Sequence, residues 1–341
     1  MKMDKQKKIL ALGGAAAVVV VGGWLVASSV ATSRAEDELY RFLDQYDLRD
    51  AVHWQDLSAS PLGSATLKDV TIRLGGGGDA GQIAIERVTL SDLENSADRK
   101  TAHIEMTAIS SRDGFSPLAQ TDLVRAGGRT DLPPFSLKLS WDLDDRADQG
   151  ALRFSLDQPD AFQGDFSLEL TRLRDLVRWA DRLADSKADE IPGMLGGAAF
   201  FGPLGALAAV SQKLQQLEIR SVTASVKDEG YVKRARALVA RHDFAAVPGQ
   251  GAAAKQRAKW LEEKADQGKD QCKRDAEAVF DGAPLRPDDC LALLDFVMGG
   301  SSTLSMKMAP ARPVSLEQLF GGAGRRDPYR PLRLLEMRLD N

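Results

Sequence analysis

Cys272 and Cys290 are the only thiols in the 341 residues. They bracket a stretch that reads as helix from Lys273 to Phe280, then a turn at Gly282-Ala283-Pro284. In an oxidising compartment a single even pair reads most simply as a disulfide. The other reading is two independent buried thiols. A redox-active pair would call for CxxC spacing, which is missing. The three imidazoles, His53, His103 and His242, lie far apart in sequence. A nucleophilic triad needs a base, a nucleophile and an orienting acid. No spacing ties these together, and neither GxSxG nor HExxH occurs. Gly75 to Gly78 invites a phosphate-loop reading, but Asp79-Ala80-Gly81-Gln82 and a strand pattern follow instead of Lys and Ser or Thr before a helix. A hairpin turn accounts for it better. Asp144-Asp145 and Asp288-Asp289 are adjacent carboxylate pairs. Neighbours on a strand point to opposite faces, so neither pair makes an acid/base dyad by spacing alone. Both read as turns or helix caps, with too few spaced oxygens for calcium. Three His and two Cys do not supply a zinc or iron–sulfur framework. The expectation is a non-enzyme with no catalytic, cofactor or metal residues.

One feature of the body stands apart chemically. Ile191 to Val210 carries no charge and holds Met194, Leu195, Phe200, Phe201, Leu204 and Leu207. Pro192, Pro203 and several glycines weaken it as a helix. Three readings stay open: a buried or groove-lining segment, a loop that touches membrane or a partner, and a second span. Arg325, Arg326, Arg330 and Arg333 form a basic patch around Tyr329. A solvated tail accounts for it; contact with lipid phosphate or an acidic partner is the alternative.

The elements that must position these residues fall into two halves. Leu39, Phe42, Leu43 and Tyr46 recur at helical spacing over 36–51. Strand alternation follows at Ala65 to Leu74, then at Ile83 to Leu90 with a shift of phase near Glu86-Arg87 that suggests a bulge. It continues through Thr101 to Ile109, Phe135 to Leu143, Leu152 to Leu156 and Phe166 to Leu170. Successive strands with short turns predict an antiparallel meander. Residues 172–185 read as helix on Leu173, Leu176, Val177, Ala180 and Leu183. Leu217 to Val226 returns to strand. Tyr231 to Arg241 is helical, with Val232, Ala235, Leu238 and Val239 aligned. Residues 252–280 form a long charged helix with Trp260 and Phe280 as its bulky contacts, and Leu291 to Met298 a further helix stopped by Gly299-Gly300. Leu304, Met306 and Met308 make a strand, and Leu335, Met337 and Leu339 another that closes the sheet. The fold class is α+β, a twisted antiparallel β-sheet with helices packed on it.

At the N-terminus, Lys2, Lys5, Lys7 and Lys8 precede an uncharged run from Ile9 to Thr32, and Glu36, Asp37 and Glu38 follow Arg34. The run is long enough to cross a bilayer, which takes about 20 residues. Lysines before it and acids after it orient the chain with its N-terminus in the cytoplasm. A cleaved signal peptide ending near Ser29-Val30-Ala31 is the rival reading, although the run exceeds the usual apolar core of such peptides. Both export the body. The expected division is a cytoplasmic tail at 1–8, a transmembrane helix at 9–32, a β-rich periplasmic region at 33–171 and a mixed α+β periplasmic region at 172–341. The chain's net charge is −4, and residues 1–32 hold four Lys and one Asp, so the remainder is more acidic still, at −7. That balance argues against nucleic acid as a partner.

The residues from Trp54 through Ser60-Pro61-Leu62-Gly63 to Leu67-Lys68-Asp69-Val70-Thr71-Ile72, behind a lysine-flanked anchor and a short helix, resemble the opening of AsmA-like and related membrane-anchored periplasmic proteins of Gram-negative bacteria. Gln82 to Leu90 resembles the strand that follows there, and Val226 to Val232 and Ser305 to Pro310 resemble segments of such envelope proteins. The likeness covers about 60 residues plus those fragments. It implies a twisted antiparallel sheet and work in envelope maintenance, by holding lipid or by scaffolding a lipid-handling complex. The expected protein is therefore a single-span inner-membrane protein with a periplasmic body that binds or handles lipid. The alternative is a ligand-free scaffold or adaptor recruiting other envelope proteins. A periplasmic hydrolase would need one of the three His to meet a nucleophile.

Overall fold

The structure is a computed structural model. It describes residues 40, 43–44, 49–60, 64–73, 82–96, 98–120, 127–129, 131–178, 216–274, 286–320 and 334–341. The strands are β1 (Val52–His53), β2 (Asp56–Ser60), β3 (Ser64–Arg73), β4 (Gln82–Asn95), β5 (Arg99–Ser111), β6 (Phe135–Asp144), β7 (Gln149–Gln158), β8 (Phe162–Thr171), β9 (Glu218–Asp228), β10 (Thr303–Met308), β11 (Val314–Ser315) and β12 (Arg338–Asp340). The helices are α1 (Tyr231–Asp243), α2 (Ala253–Arg274), α3 (Pro287–Val297) and α4 (Leu316–Phe320). Residues 174–178 are also helical, the described part of the helix expected after residue 172.

Among the described residues, twelve strands form one antiparallel sheet in the order β1-β3-β4-β5-β6-β7-β8-β9-β10-β12, with β2 on β3 and β11 on β9. Consecutive strands pair from β3 to β8, so the expected meander holds; short turns join β6 to β7 and β7 to β8, whereas residues 112–134 separate β5 from β6. β8 and β9 lie on either side of residue 172 and pair from Phe162↔Asp228 to Thr171↔Glu218.

The phase shift at Glu86-Arg87 extends across three strands. Asp69, Glu86 and Ala108 fall at one level, between the paired positions Lys68↔Arg87↔Thr107 and Val70↔Ile85↔Ile109. Asp69 and Ala108 have φ of 51° and 53°, in the left-handed region. β3, β4 and β5 change phase together and keep register. β6 does not, so Met106↔Leu137 is followed by Ile109↔Phe135, a bulge. The Ala108 N–H freed there donates to Ser136 Oγ at 3.4 Å. The shift keeps one face apolar on both sides: Ala65, Leu67, Val70 and Ile72 on β3 are all buried.

The opposite face is polar. Arg99 forks onto Asp142 with bonds of 3.0 and 2.8 Å, and Lys138 meets Glu105 at 3.0 Å. The Arg99 hydrogen bond and charge hold the Asp142 carboxyl below its ordinary value.

The three long helices gather beyond β9. Cys272 in α2 and Cys290 in α3 are joined by a disulfide with a Cα–Cα distance of 5.6 Å. Both are fully buried. α3 starts at Pro287, earlier than the expected Leu291, where the Asp289 carboxylate accepts from the Arg286 backbone N–H at 3.3 Å and from its guanidinium. Asp288-Asp289 is thus a helix cap, as its sequence suggested. The last strand is shorter than expected: only Leu339 of the three residues lies in β12, while Leu335 is buried in a turn that Glu336 closes at φ 52°. The expected alignment on α1 also fails. Leu238 and Val239 are exposed, and Ala240 is the buried residue of that helix.

Candidate functional site

Single cross-strand pairs, followed from strand to strand, assemble the site. Ala65↔Leu90↔Ile104↔Leu139↔Phe154↔Phe166↔Ala224↔Met306↔Leu339 is an unbroken row of apolar residues over nine strands. At about 4.8 Å per strand it runs about 38 Å. A second row on the same face is Leu57↔Leu67↔Val88↔Met106↔Leu137↔Leu156↔Gly164↔Val226↔Leu304. A third is Ala102↔Trp141↔Leu152↔Leu168↔Val222↔Met308. None of the three rows holds a charged residue.

Burial along these rows is uneven. On β3, β4 and β5 the rows lie in a cluster that includes Leu43, Ile104 and Phe135. On β9 and β10, Val222, Met306 and Met308 belong to a second cluster with Ile219 and Leu319, while Val226 of the second row is exposed. Leu139, Trp141 and Leu156, packed against the first cluster, Phe166, packed against the second, and Leu152 and Phe154 are only half-buried. Leu152 and Phe154 of β7 stand between the clusters. Gly164 dents the second row: a Cβ there would meet only Ser225 O, at 3.8 Å. The middle of the face therefore has apolar side chains, no charge and one gap in its side-chain layer. Such a surface excludes water and accepts hydrocarbon; it offers no group for proton transfer or nucleophilic attack.

The chain leaves and re-enters the sheet at one edge of this face. Leu173 and Leu217 are buried there, just beyond the last β8–β9 pair. The excursion between them contains Met194, Leu195, Phe200, Phe201, Leu204 and Leu207, which lie outside the described residues. So do the apolar run at 9–32, the Gly75–Gly78 turn and the arginines from Arg325 to Arg333. Among the described residues, no helix is long and apolar enough to cross a membrane.

The other sequence candidates are scattered. His53 is exposed on β1, His103 half-buried on the polar face of β5, and His242 exposed on α1 beside Asp243. Asp144 ends β6 and Asp145 opens the β6–β7 turn, where Asp144 Oδ1 accepts the Ala147 N–H at 2.8 Å. Asp145 lies 3.6 Å from Arg174. A cavity of about 10 Å³ between Asp98, Asp145, Leu173 and Arg174 suits one water, not a substrate. Among the described residues, no group of three or more His, Cys, Asp or Glu is placed to hold a metal ion.

Sequence reading found the strands of the apolar face from β3 onward, but not β2 with Leu57, and missed the continuity of the rows. Alternation marks which residues share a face on one strand; the register that aligns them between strands is set by hairpins and bulges. No family model matches the chain, and no curated protein matches it.

Proposed function

We propose that this chain is a single-span inner-membrane protein whose periplasmic body binds or handles lipid in maintaining the cell envelope. The unbroken apolar face across β3 to β12 carries the reading. Acyl chains lie along its half-buried centre at Phe154 and Phe166, where burying methylenes yields about 0.8 kcal/mol each. The Ile191–Val210 segment, uncharged and holding Phe200 and Phe201, suits the same acyl chains by its composition. The lysine-flanked run at 9–32 supports the anchor and the orientation. The Cys272–Cys290 disulfide supports an oxidising compartment. The resemblance to AsmA-like envelope proteins agrees with both. The chain is not an enzyme in this reading.

Native mass spectrometry of residues 34–341 exported to a bacterial periplasm tests it. A retained lipid mass, lost in Phe200→Asp/Phe201→Asp, is expected. A bare protein mass would favour the ligand-free scaffold.

A further inference from the structure

The hairpin of α1 and α2 differs in charge from the rest of the chain. Residues 231–274 hold eleven Lys or Arg against five Asp or Glu, a net of +6 in a chain of net −4. The acids of α2 begin at Glu262, so the end of the hairpin, from Phe244 to Leu261, has Lys255, Arg257 and Lys259 and no acid. Arg241 adds a further exposed cation, Asp243 pairs with His242 at 3.0 Å, and Lys259, itself 78% exposed, lies 3.7 Å from Glu263. Two valines of the same hairpin are exposed: Val239 is 48% exposed and Val247 46%.

The loop that carries Val247 is held in shape. Gln256 of α2 accepts the Val247 N–H at 2.9 Å and donates to Val247 O at 3.0 Å and Gly251 O at 3.1 Å. Phe244 and Trp260, with ring centroids 6.0 Å apart, close the base. An ordered loop with an exposed valine, in a stretch whose only charges are lysine and arginine, matches a surface that is apolar beneath and anionic above. Soluble anions would satisfy the charges but leave Val239 and Val247 in water. An anionic bilayer satisfies both, since the valines enter the headgroup boundary while the cations stay with phosphate.

From this geometry we infer that the α1–α2 tip docks on an anionic lipid surface through Val247, Val239, Arg241, Lys255 and Lys259. The inference rests on the hairpin alone and does not require lipid on the sheet, so either can fail without the other.

The test uses the full-length disulfide-bonded chain carrying Val247→Cys, labelled there with an environment-sensitive fluorophore. A second preparation is labelled through Asp157→Cys, on the polar face of β7. Each is combined with vesicles of phosphatidylcholine alone, or with a third phosphatidylglycerol. The expected result is a blue shift at position 247 with the anionic vesicles only, reversed by added salt. No shift is expected at 157. Each exposed cation contributes about a fivefold change in partitioning, so Arg241→Glu/Lys255→Glu/Lys259→Glu is expected to abolish the shift. Equal emission at 247 in both vesicles would overturn the inference. So would an equal shift at 157, or a shift that survives both salt and the triple substitution.

Discussion

Asp289 Oδ1 accepts the backbone N–H of Leu339 at 2.7 Å, joining the first turn of α3 to the last strand across 50 residues. The same carboxylate takes a fork from Arg286, with bonds of 2.9 and 2.8 Å. Asn341 adds a bond to Asp295 at 3.1 Å. One buried acid thus fastens the edge of the sheet to the helices.

Burial pushes the Asp289 carboxyl upward, but the bonds from Arg286 and from the Leu339 N–H outweigh it and hold the group below its ordinary value. A depressed carboxyl stabilises fully above its unfolded pKa of about 3.9 and loses that contribution as pH falls through the folded value. Asp289→Asn is expected to cost about 2 kcal/mol near neutral pH. Urea unfolding across pH checks the sign: the gap between wild type and variant closes in acid. A gap that stays constant into acid would contradict the latch.

The Cys272–Cys290 bridge closes a loop with a sequence separation of 18. In the chain-entropy model this contributes about 3 kcal/mol. Cys272→Ser/Cys290→Ser is expected to lower the urea midpoint accordingly. Because both sulfurs are buried, thiol reagents are expected to react only as the protein unfolds. Rapid reduction of the native protein would contradict that.

Two glycines on the apolar face give opposite expectations. A Cβ on Gly150 would sit 2.6 Å from both Leu143 Cδ2 and Leu173 Cδ1. Gly150→Ala is therefore expected to destabilise by about 1–3 kcal/mol. A Cβ on Gly164 meets nothing closer than 3.8 Å, so Gly164→Ala is expected to be neutral or to stabilise by up to about 1 kcal/mol. Thermal unfolding of the two variants distinguishes them, and equal losses would show that the face is packed uniformly.

Strands were the most legible part of the fold in the sequence, because Leu137, Leu139 and Trp141 or Phe154 and Leu156 alternate with polar neighbours over long runs. The change of phase near Glu86 was legible as a broken period, but the bulge expected there lies instead between β5 and β6, at Met106/Ile109; the matching changes at Asp69 and Ala108 become visible only beside the neighbouring strand. α1 misled the reading: Leu238 and Val239 fit a helical stripe, yet the helix rests on the small Ala240 and leaves Val239 outward. Asp289 was read as a cap, and its bond to Leu339 was hidden because nothing local ties residues so far apart. β11 and α4 escaped notice because two and five residues are too short to show a period.

Photo-crosslinking tests the central proposal, that lipid chains lie on the sheet, most directly. Cells producing the full-length chain are fed a fatty acid bearing a diazirine, and labelled peptides of the body are mapped after irradiation. Label is predicted on the inward residues of β6 to β8, around Leu139, Phe154 and Phe166, and on the segment holding Phe200 and Phe201. Label confined to the polar face around Arg153 and Asp165, or a body without label, would contradict the account.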